Sequence, residues 1–132
     1  MLLLDTSSLL LMDAGSSLLG KKAKRSMVQA YQRDELCISA ASFWEIAVWV
    51  REDRIGYSGR LLDWRLELLN AGLVEIPVDG RIFLKSMELG NLDRSSFGKM
   101  IVSTALIMES RLITGDEQLL KNRKINSMSL IT

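Results

Sequence analysis

The chain has 132 residues, a length typical of one domain, and 48% of them are hydrophobic, which is enough apolar surface for a buried core. It contains no histidine and a single cysteine, Cys37, which excludes zinc sites built from those residues as well as Ser-His-Asp and Cys-His catalysis. Seventeen basic and sixteen acidic residues give a net charge of +1, so any nucleic-acid site must be local.

Short apolar runs bounded by polar residues predict five strands, and apolar residues at helical spacing predict helices between them. In chain order, the predicted strands are 2–4, 36–39, 73–78, 112–114 and 128–131, and the apolar helical stripes lie within 43–50, 61–69 and 100–108. Strands that alternate with helices imply an α/β fold with a mainly parallel central sheet and helices on both faces. We interpret residues 1–132 as a single domain.

The start of the chain favours a cytoplasmic protein without a membrane partner. Asp5 interrupts the first apolar run, and no run approaches the ~20 residues that span a bilayer. The first residues have neither the basic region nor the small-residue cleavage site of a secretory signal. Cys37 lies in an apolar run, so we expect a small buried residue without a catalytic role.

Three acids stand where the carboxyl ends of the predicted strands would meet. Asp5 ends the first strand, Glu45 lies in the helix after the second, and Asp116 follows the fourth. Open α/β sheets form their sites at this edge. Clustered carboxylates persist when Mg²⁺ or Mn²⁺ neutralises them, and such an ion can activate water without histidine. The three acids are therefore candidate metal ligands and catalytic residues.

Each acid also has a purely structural interpretation. Asp5 and Asp116 both stand where a helix cap is expected. The segment 42–45 (SFWE) fits the S-x-x-E capping box, in which the Glu45 carboxylate bonds back to the Ser42 amide. The residues alone leave both interpretations open.

Four segments, in order and spread over most of the chain, carry a resemblance to a known family. They are 3–8 (LLDTSS), 38–46 (ISAASFWEI), 99–105 (KMIVSTA) and 112–116 (LITGD). Together they are similar to PIN domains, and most of all to the VapC-type toxins of bacterial toxin–antitoxin pairs. The resemblance implies a PIN-like fold, a Mg²⁺ or Mn²⁺ site, endoribonuclease activity on RNA, a homodimer and a cognate antitoxin. It also implies that Asp5, Glu45 and Asp116 are the acids of the site.

One position departs from the pattern of that family. The stretch 95–100 (SSFGKM) stands where these PIN domains often read Asp-Pro-Phe-Asp-Arg-Met, so Gly98 occupies the position of a usual acidic ligand. Asp93, five residues upstream, is a candidate substitute metal ligand. Gly98 also raises an alternative function, a catalytically weakened or inactive PIN module that binds RNA or an antitoxin without cutting.

Two further motifs point to other functions. The segment 15–22 (GSSLLGKK) matches most of the P-loop pattern, but Lys22 replaces the hydroxyl that should hold Mg²⁺, and no strong strand precedes Gly15. Ser96 and Lys99 have the S-x-x-K spacing of some acyl-transfer enzymes, whose companion motifs are absent here.

Basic and aromatic residues offer weaker indications. Lysine and arginine residues within 21–25 and 121–124 are candidate phosphate contacts beside the acidic edge, although such clusters are more often solvated helix faces. Trp44, Trp49 and Trp64 are better assigned to core or dimer contacts than to base stacking.

Overall fold

A five-stranded parallel sheet forms the centre of the computed structural model, which describes residues 1–90, 92 and 95–132. The strands are β1 (Leu2–Leu4), β2 (Leu36–Ser39), β3 (Val74–Ile76), β4 (Arg111–Thr114) and β5 (Ser127–Ser129). Their order is β3-β2-β1-β4-β5, and each neighbouring pair is parallel. The predicted α/β class and parallel sheet are confirmed.

Seven helices connect these strands within the part of the chain that the structure describes. They are α1 (Thr6–Asp13), α2 (Lys21–Gln32), α3 (Ala40–Arg51), α4 (Leu61–Asn70), α5 (Gly80–Met87), α6 (Ser96–Ile107) and α7 (Glu117–Lys121). Within those residues, every helix is too short or too polar to pass through a bilayer.

Two hydrophobic cores lie on opposite faces of the sheet, because adjacent residues of a strand point to opposite sides. Leu2 and Leu4 pack in one core with residues of α1, α2 and α4. Leu3 and Cys37 pack in the other with residues of α5, α6 and α7. Burial raises the pKa of the Cys37 thiol, which keeps it protonated as the small core residue that the sequence predicts. Helices on both faces explain why the strands read as continuous apolar runs.

The helix α4 buries a different face from the one its leucines predict. Leu62 and Leu66, part of the predicted apolar stripe, are exposed, whereas Trp64 and Leu68 are buried. The Trp64 indole N–H donates to a carboxylate oxygen of Asp13 at 2.9 Å, so the ring can be buried with its polar atom paired. The large aromatic surface therefore decides which side of α4 faces the core.

The segment 15–22 is a connection into α2 rather than a phosphate loop. It follows α1 instead of a strand, and Gly20 is the N-cap of α2. The backbone N–H groups of Lys22 and Ala23 donate to the backbone oxygen of Thr132 at 3.0 and 3.3 Å. A Cβ atom on Gly20 would collide with the same residue. The glycine thus permits close backbone packing, and two amides that a phosphate would need are already engaged.

Candidate active site

Asp5 and Glu45 line one polar cleft with a volume of about 290 Å³. Asp5 directly follows β1, and Glu45 belongs to the helix that directly follows β2. The remaining lining residues are Thr6, Ser7, Trp49, Ser95 and Ile101. The chain runs from β1 outward to β3 and then returns to β4 on the other side of β1. Parallel sheets bind ligands beyond the strand ends at such a reversal of strand order.

Asp5 is held in place because it caps α1. Its Oδ1 accepts the backbone N–H of Ser8 at 2.8 Å, and its own N–H donates to the carbonyl of Ile113 in β4 at 3.1 Å. Asp5 is only 8% exposed. The cap engages Oδ1 of the carboxylate, so Oδ2 is the oxygen left for a cationic ligand.

Glu45 does not close the capping box that its spacing allows. The helix α3 is capped instead by Ser39, whose hydroxyl accepts the N–H of Ala41 at 3.1 Å. Ser42 therefore lies inside the helix, and Glu45 lies in the second turn, where it borders the cleft. The structural interpretation of Glu45 is excluded, whereas those of Asp5 and Asp116 as helix caps are both observed.

A buried hydrogen bond joins the two helices that carry the cleft acids. Thr6 Oγ1 donates to Ser42 Oγ at 3.0 Å, and both residues are buried. Thr6 is the neighbour of Asp5, and Ser42 precedes Glu45 by about one turn of α3. The bond therefore fixes the spacing of α1 and α3 where the carboxylates face the cleft.

The N-terminus of α6 borders the same cleft. Ser95 is its N-cap, and the Ser95 hydroxyl accepts the N–H of Gly98 at 3.1 Å. Gly98 is buried in the first turn of α6, so the glycine at the usual acidic position lies one turn from a residue of the cleft. Asp93, the candidate substitute ligand, lies outside the described residues.

Asp116 is not among the residues that line the cleft. It caps α7, with its Oδ1 accepting the N–H of Leu119 at 2.9 Å, and its own N–H donates to Thr114 Oγ1 at 3.1 Å. Within residues 1–90, 92 and 95–132, no three carboxylate, imidazole or thiol side chains lie close enough together to hold one metal ion. Of the three acids expected to meet in one cleft, the structure brings together Asp5 and Glu45 and places Asp116 at the start of α7.

The cleft residues fit a divalent ion that takes few ligands from protein. Mg²⁺ prefers six oxygens, keeps several waters and is often held by only one or two carboxylates. Asp5 and Glu45 supply two carboxylates, and Ser7 and Ser95 add hydroxyl-bearing residues to the lining. The chain offers no imidazole that would favour a softer metal.

Five of the seven residues that line the cleft, Trp49 and Ser95 among them, were not assigned to the site from the sequence. Trp49 follows Glu45 by four residues on α3, so helical periodicity was the available signal. Ser95 was detectable only as the cap of a helix whose start the sequence does not fix. The predicted assignment of the tryptophans to core or dimer contacts is confirmed for the buried Trp64, whereas Trp44 is 58% exposed and Trp49 lines the cleft.

Comparison with known proteins identifies the fold. No protein-family model and no curated protein matches the sequence, but solved structures do. The chain is similar to a toxin–antitoxin complex from Klebsiella pneumoniae, with 16% identity, a TM-score of 0.63 and 95% of each chain covered. It is also similar to VapBC2 from Rickettsia felis bound to a DNA fragment from its promoter, with 12% identity, a TM-score of 0.68 and 97% of each chain covered.

A third similar structure is FitAcB from Neisseria gonorrhoeae, with 17% identity, a TM-score of 0.57 and 88% of each chain covered. These identities are low, so the likeness is one of fold over nearly the full length of each chain. The chain is a PIN-like α/β protein. Its particular likeness is to the chains of VapBC and FitAB structures, which confirms the resemblance that the sequence segments indicate.

The Thr6–Ser42 bond leads to a test of how the two acid-bearing helices are joined. Thr6→Val should lower the free energy of unfolding by about 1–3 kcal/mol, because it leaves the Ser42 hydroxyl buried without its donor. The double variant with Ser42→Ala should cost less than the sum of the single variants. Urea unfolding measures both values. Thr104→Val is the matched control, because the Thr104 hydroxyl bonds to Met100 within α6. Its cost in free energy of unfolding should be additive with that of Ser42→Ala. Additive costs for Thr6 and Ser42 would show that the bond does not couple them.

Proposed function

We propose that the chain is a divalent-metal-dependent endoribonuclease, a toxin of the VapC type that is controlled by a cognate antitoxin. The observation that carries the proposal is the convergence of Asp5 and Glu45 on one polar cleft beyond the strand ends of a PIN-like sheet. The two residues come from segments 40 positions apart and are linked by the buried Thr6–Ser42 bond. Such convergence is not needed to cap a helix, so it favours a shared ligand.

The cleft carboxylates define the chemistry that this proposal assigns to the chain. Asp5 and Glu45 would hold Mg²⁺ or Mn²⁺ together with water ligands. When bound, such an ion supplies an activated water and neutralises charge on the scissile phosphodiester. Without histidine, carboxylates are the acid–base groups nearest the reaction. Asp116, which caps α7 and does not line the cleft, would have a supporting role at the same end of the sheet.

A weakened or inactive module is the alternative function. It is favoured by the composition of the cleft, whose lining contains two acids within the described residues. Gly98 occupies the position where a further acidic ligand is usual. Such a module would bind RNA or an antitoxin through the same surfaces without cutting. Metal binding and cleavage assays on variants of Asp5 and Gly98 separate the two functions.

A second cleft suits the antitoxin partner. It has a volume of about 440 Å³, lies between α1, α2 and the segment before β3, and is lined mainly by the apolar side chains of Met12, Leu19, Met27, Val28, Tyr31, Leu36 and Leu73. Lys24 also lines it, and Lys21 and Arg25 are exposed on the same helix. We assign this groove to an acidic amphipathic segment of the antitoxin, because its apolar floor and basic rim match the two faces of such a segment.

The metal proposal predicts a stability change that depends on Asp5. Mn²⁺ should raise the melting temperature of the parent relative to EDTA, since an ion bound only by the folded state at 100 times its Kd contributes about 2.7 kcal/mol. Asp5→Asn should retain stability in EDTA, because asparagine also caps helices and one repulsive charge is lost. The same variant should lose both the Mn²⁺ effect and the cleavage of single-stranded RNA.

Asp79→Asn is the matched control, because Asp79 caps α5 in the same way and is absent from the cleft lining. It should keep both the Mn²⁺ effect and the cleavage. Cleavage that persists in EDTA, or that Asp5→Asn leaves unchanged, would refute a mechanism based on these carboxylates.

Gly98→Asp tests the usual acidic position. The added carboxylate should enlarge the Mn²⁺-induced rise in melting temperature and increase RNA cleavage, because a carboxylate ligand is restored at the start of α6. Gly98→Asn is the control that adds the same side-chain shape without the charge. If both variants fold and respond to Mn²⁺ alike, Gly98 does not mark a missing ligand, and the non-cutting function becomes the better account.

The antitoxin groove is tested with a synthetic peptide helix that carries leucine on one face and glutamate on the other. The parent should bind this acidic peptide and not its lysine counterpart. Val28→Asp should weaken binding at least ~10-fold, because an exposed apolar contact of the groove becomes a like charge. Gln29→Asp adds the same charge on the same helix outside the groove lining and should have little effect. Equal weakening by both changes would rule out the groove as the contact.

A further inference from the structure

An indole forms part of the wall of the acidic cleft. Trp49 lies one turn after Glu45 on α3, so the two side chains share a helix face, and both line the cleft together with Asp5. The side chain is neither buried in the core nor fully exposed. An aromatic ring is therefore presented beside the two carboxylates.

An arginine is held against this indole. The guanidinium carbon of Arg54 lies 5.4 Å from the ring centroid of Trp49, within the range of a cation–π contact. The backbone N–H of Arg54 donates to the carbonyl of Trp49 at 2.8 Å, so the chain returns over the end of α3 at a fixed place. The intervening Asp53 has a φ of 57°, which accommodates this reversal. Arg54 also lies 3.9 Å from Glu52, and both of these side chains are largely exposed.

Charge alone cannot explain how a nucleic acid would enter this cleft. Asp5 and Glu45 repel phosphates, and a bound divalent ion only compensates for that repulsion. Affinity therefore requires contacts that do not depend on the charge of the cleft. Stacking of a base on an aromatic ring is such a contact, and a nearby arginine can add a phosphate or cation–π contact.

We propose that Trp49 and Arg54 form a stacking subsite that receives an unpaired RNA base next to the phosphodiester held at Asp5 and Glu45. The inference rests on the ribonuclease proposal for its ligand. The subsite accepts any base, because every base has a π-face, but it excludes paired strands, whose bases are already stacked. It thus gives the cleft a preference for single-stranded RNA.

Trp44 provides a matched control on the same helix. It is exposed and packs its ring edge-on against Phe97, with a centroid distance of 4.8 Å, and it is absent from the cleft lining. If exposed indoles bind RNA in a general way, Trp44 and Trp49 should contribute equally. If the subsite is specific, only Trp49 should contribute.

The experiment measures binding of a fluorescent single-stranded RNA by anisotropy. It is carried out without added metal in the Asp5→Asn background, where the proposed hydrolysis is blocked and one repulsive charge is removed, and it is repeated on the parent in EDTA. Trp49→Leu should raise Kd roughly 5- to 150-fold, the usual loss of one stacked base. Trp49→Phe should retain most of the affinity, and Trp44→Leu should change Kd by less than about two-fold. An RNA with abasic sites should bind weakly, and Trp49→Leu should weaken it no further.

Equal effects of Trp49→Leu and Trp44→Leu, or tight binding of the abasic RNA, would overturn the stacking subsite. If Trp49→Leu does not fold, Trp49→Phe and the abasic RNA still decide the question. RNA binding that is indifferent to Trp49 refutes this subsite alone and leaves the ribonuclease proposal intact. A parent that is stabilised by Mn²⁺ but neither binds nor cleaves single-stranded RNA refutes the subsite and the proposed substrate together, while the metal site stands.

Discussion

The burial of β1 on both faces is the constraint on which the rest of the structure depends. Leu2 and Leu4 pack into one core and Leu3 into the other, so β1 can lie only in the interior of the sheet, between β2 and β4. The chain must then leave β1 on one side and return on the other. This reversal leaves a crevice beyond the strand ends, and Asp5 is the first residue beyond β1. The position of the acid follows from the packing of three leucines before it.

Asp5 caps α1 and also lines the cleft, so the structural role does not exclude the proposed functional one. One carboxylate oxygen caps α1 through Ser8, which orients the side chain and reduces the entropy that a ligand would otherwise have to remove. The backbone N–H is bound to Ile113 in the neighbouring strand, so the residue is fixed relative to β4 as well. The helix cap therefore fixes the carboxylate that the proposed ion would meet. The helix α3 is fixed in a similar way, because the Thr6 hydroxyl of α1 donates a hydrogen bond to Ser42 of α3.

The sequence predicts those parts of the fold that local patterns specify. The strands were located because both of their faces are apolar, and the two aspartates were recognisable as caps because a cap acts within one turn. Glu45 was ambiguous because Ser39 and Ser42 are both suitable caps, and the end of β2, a tertiary feature, selects Ser39. The buried face of α4 depends on Asp13 as a partner for Trp64, 51 residues away. That Asp116 does not line the cleft is likewise a tertiary feature, which local patterns do not specify.

On the proposed function, Gly98 would affect both folding and ligand binding, because it leaves the cleft with one acid fewer than the resemblance implies. Two carboxylates repel each other less than three do when no cation is present, so a glycine at this position favours the metal-free fold. An ion held there as proposed would take more of its coordination from water, and its binding would be weakened rather than abolished, because Mg²⁺ tolerates a largely hydrated sphere. The N-terminus of α6 still presents the Gly98 amide, but that amide is already engaged by Ser95. On the proposed function, Asp5 and Glu45 would hold the cation, and α6 would contribute shape and one hydroxyl-bearing residue rather than charge.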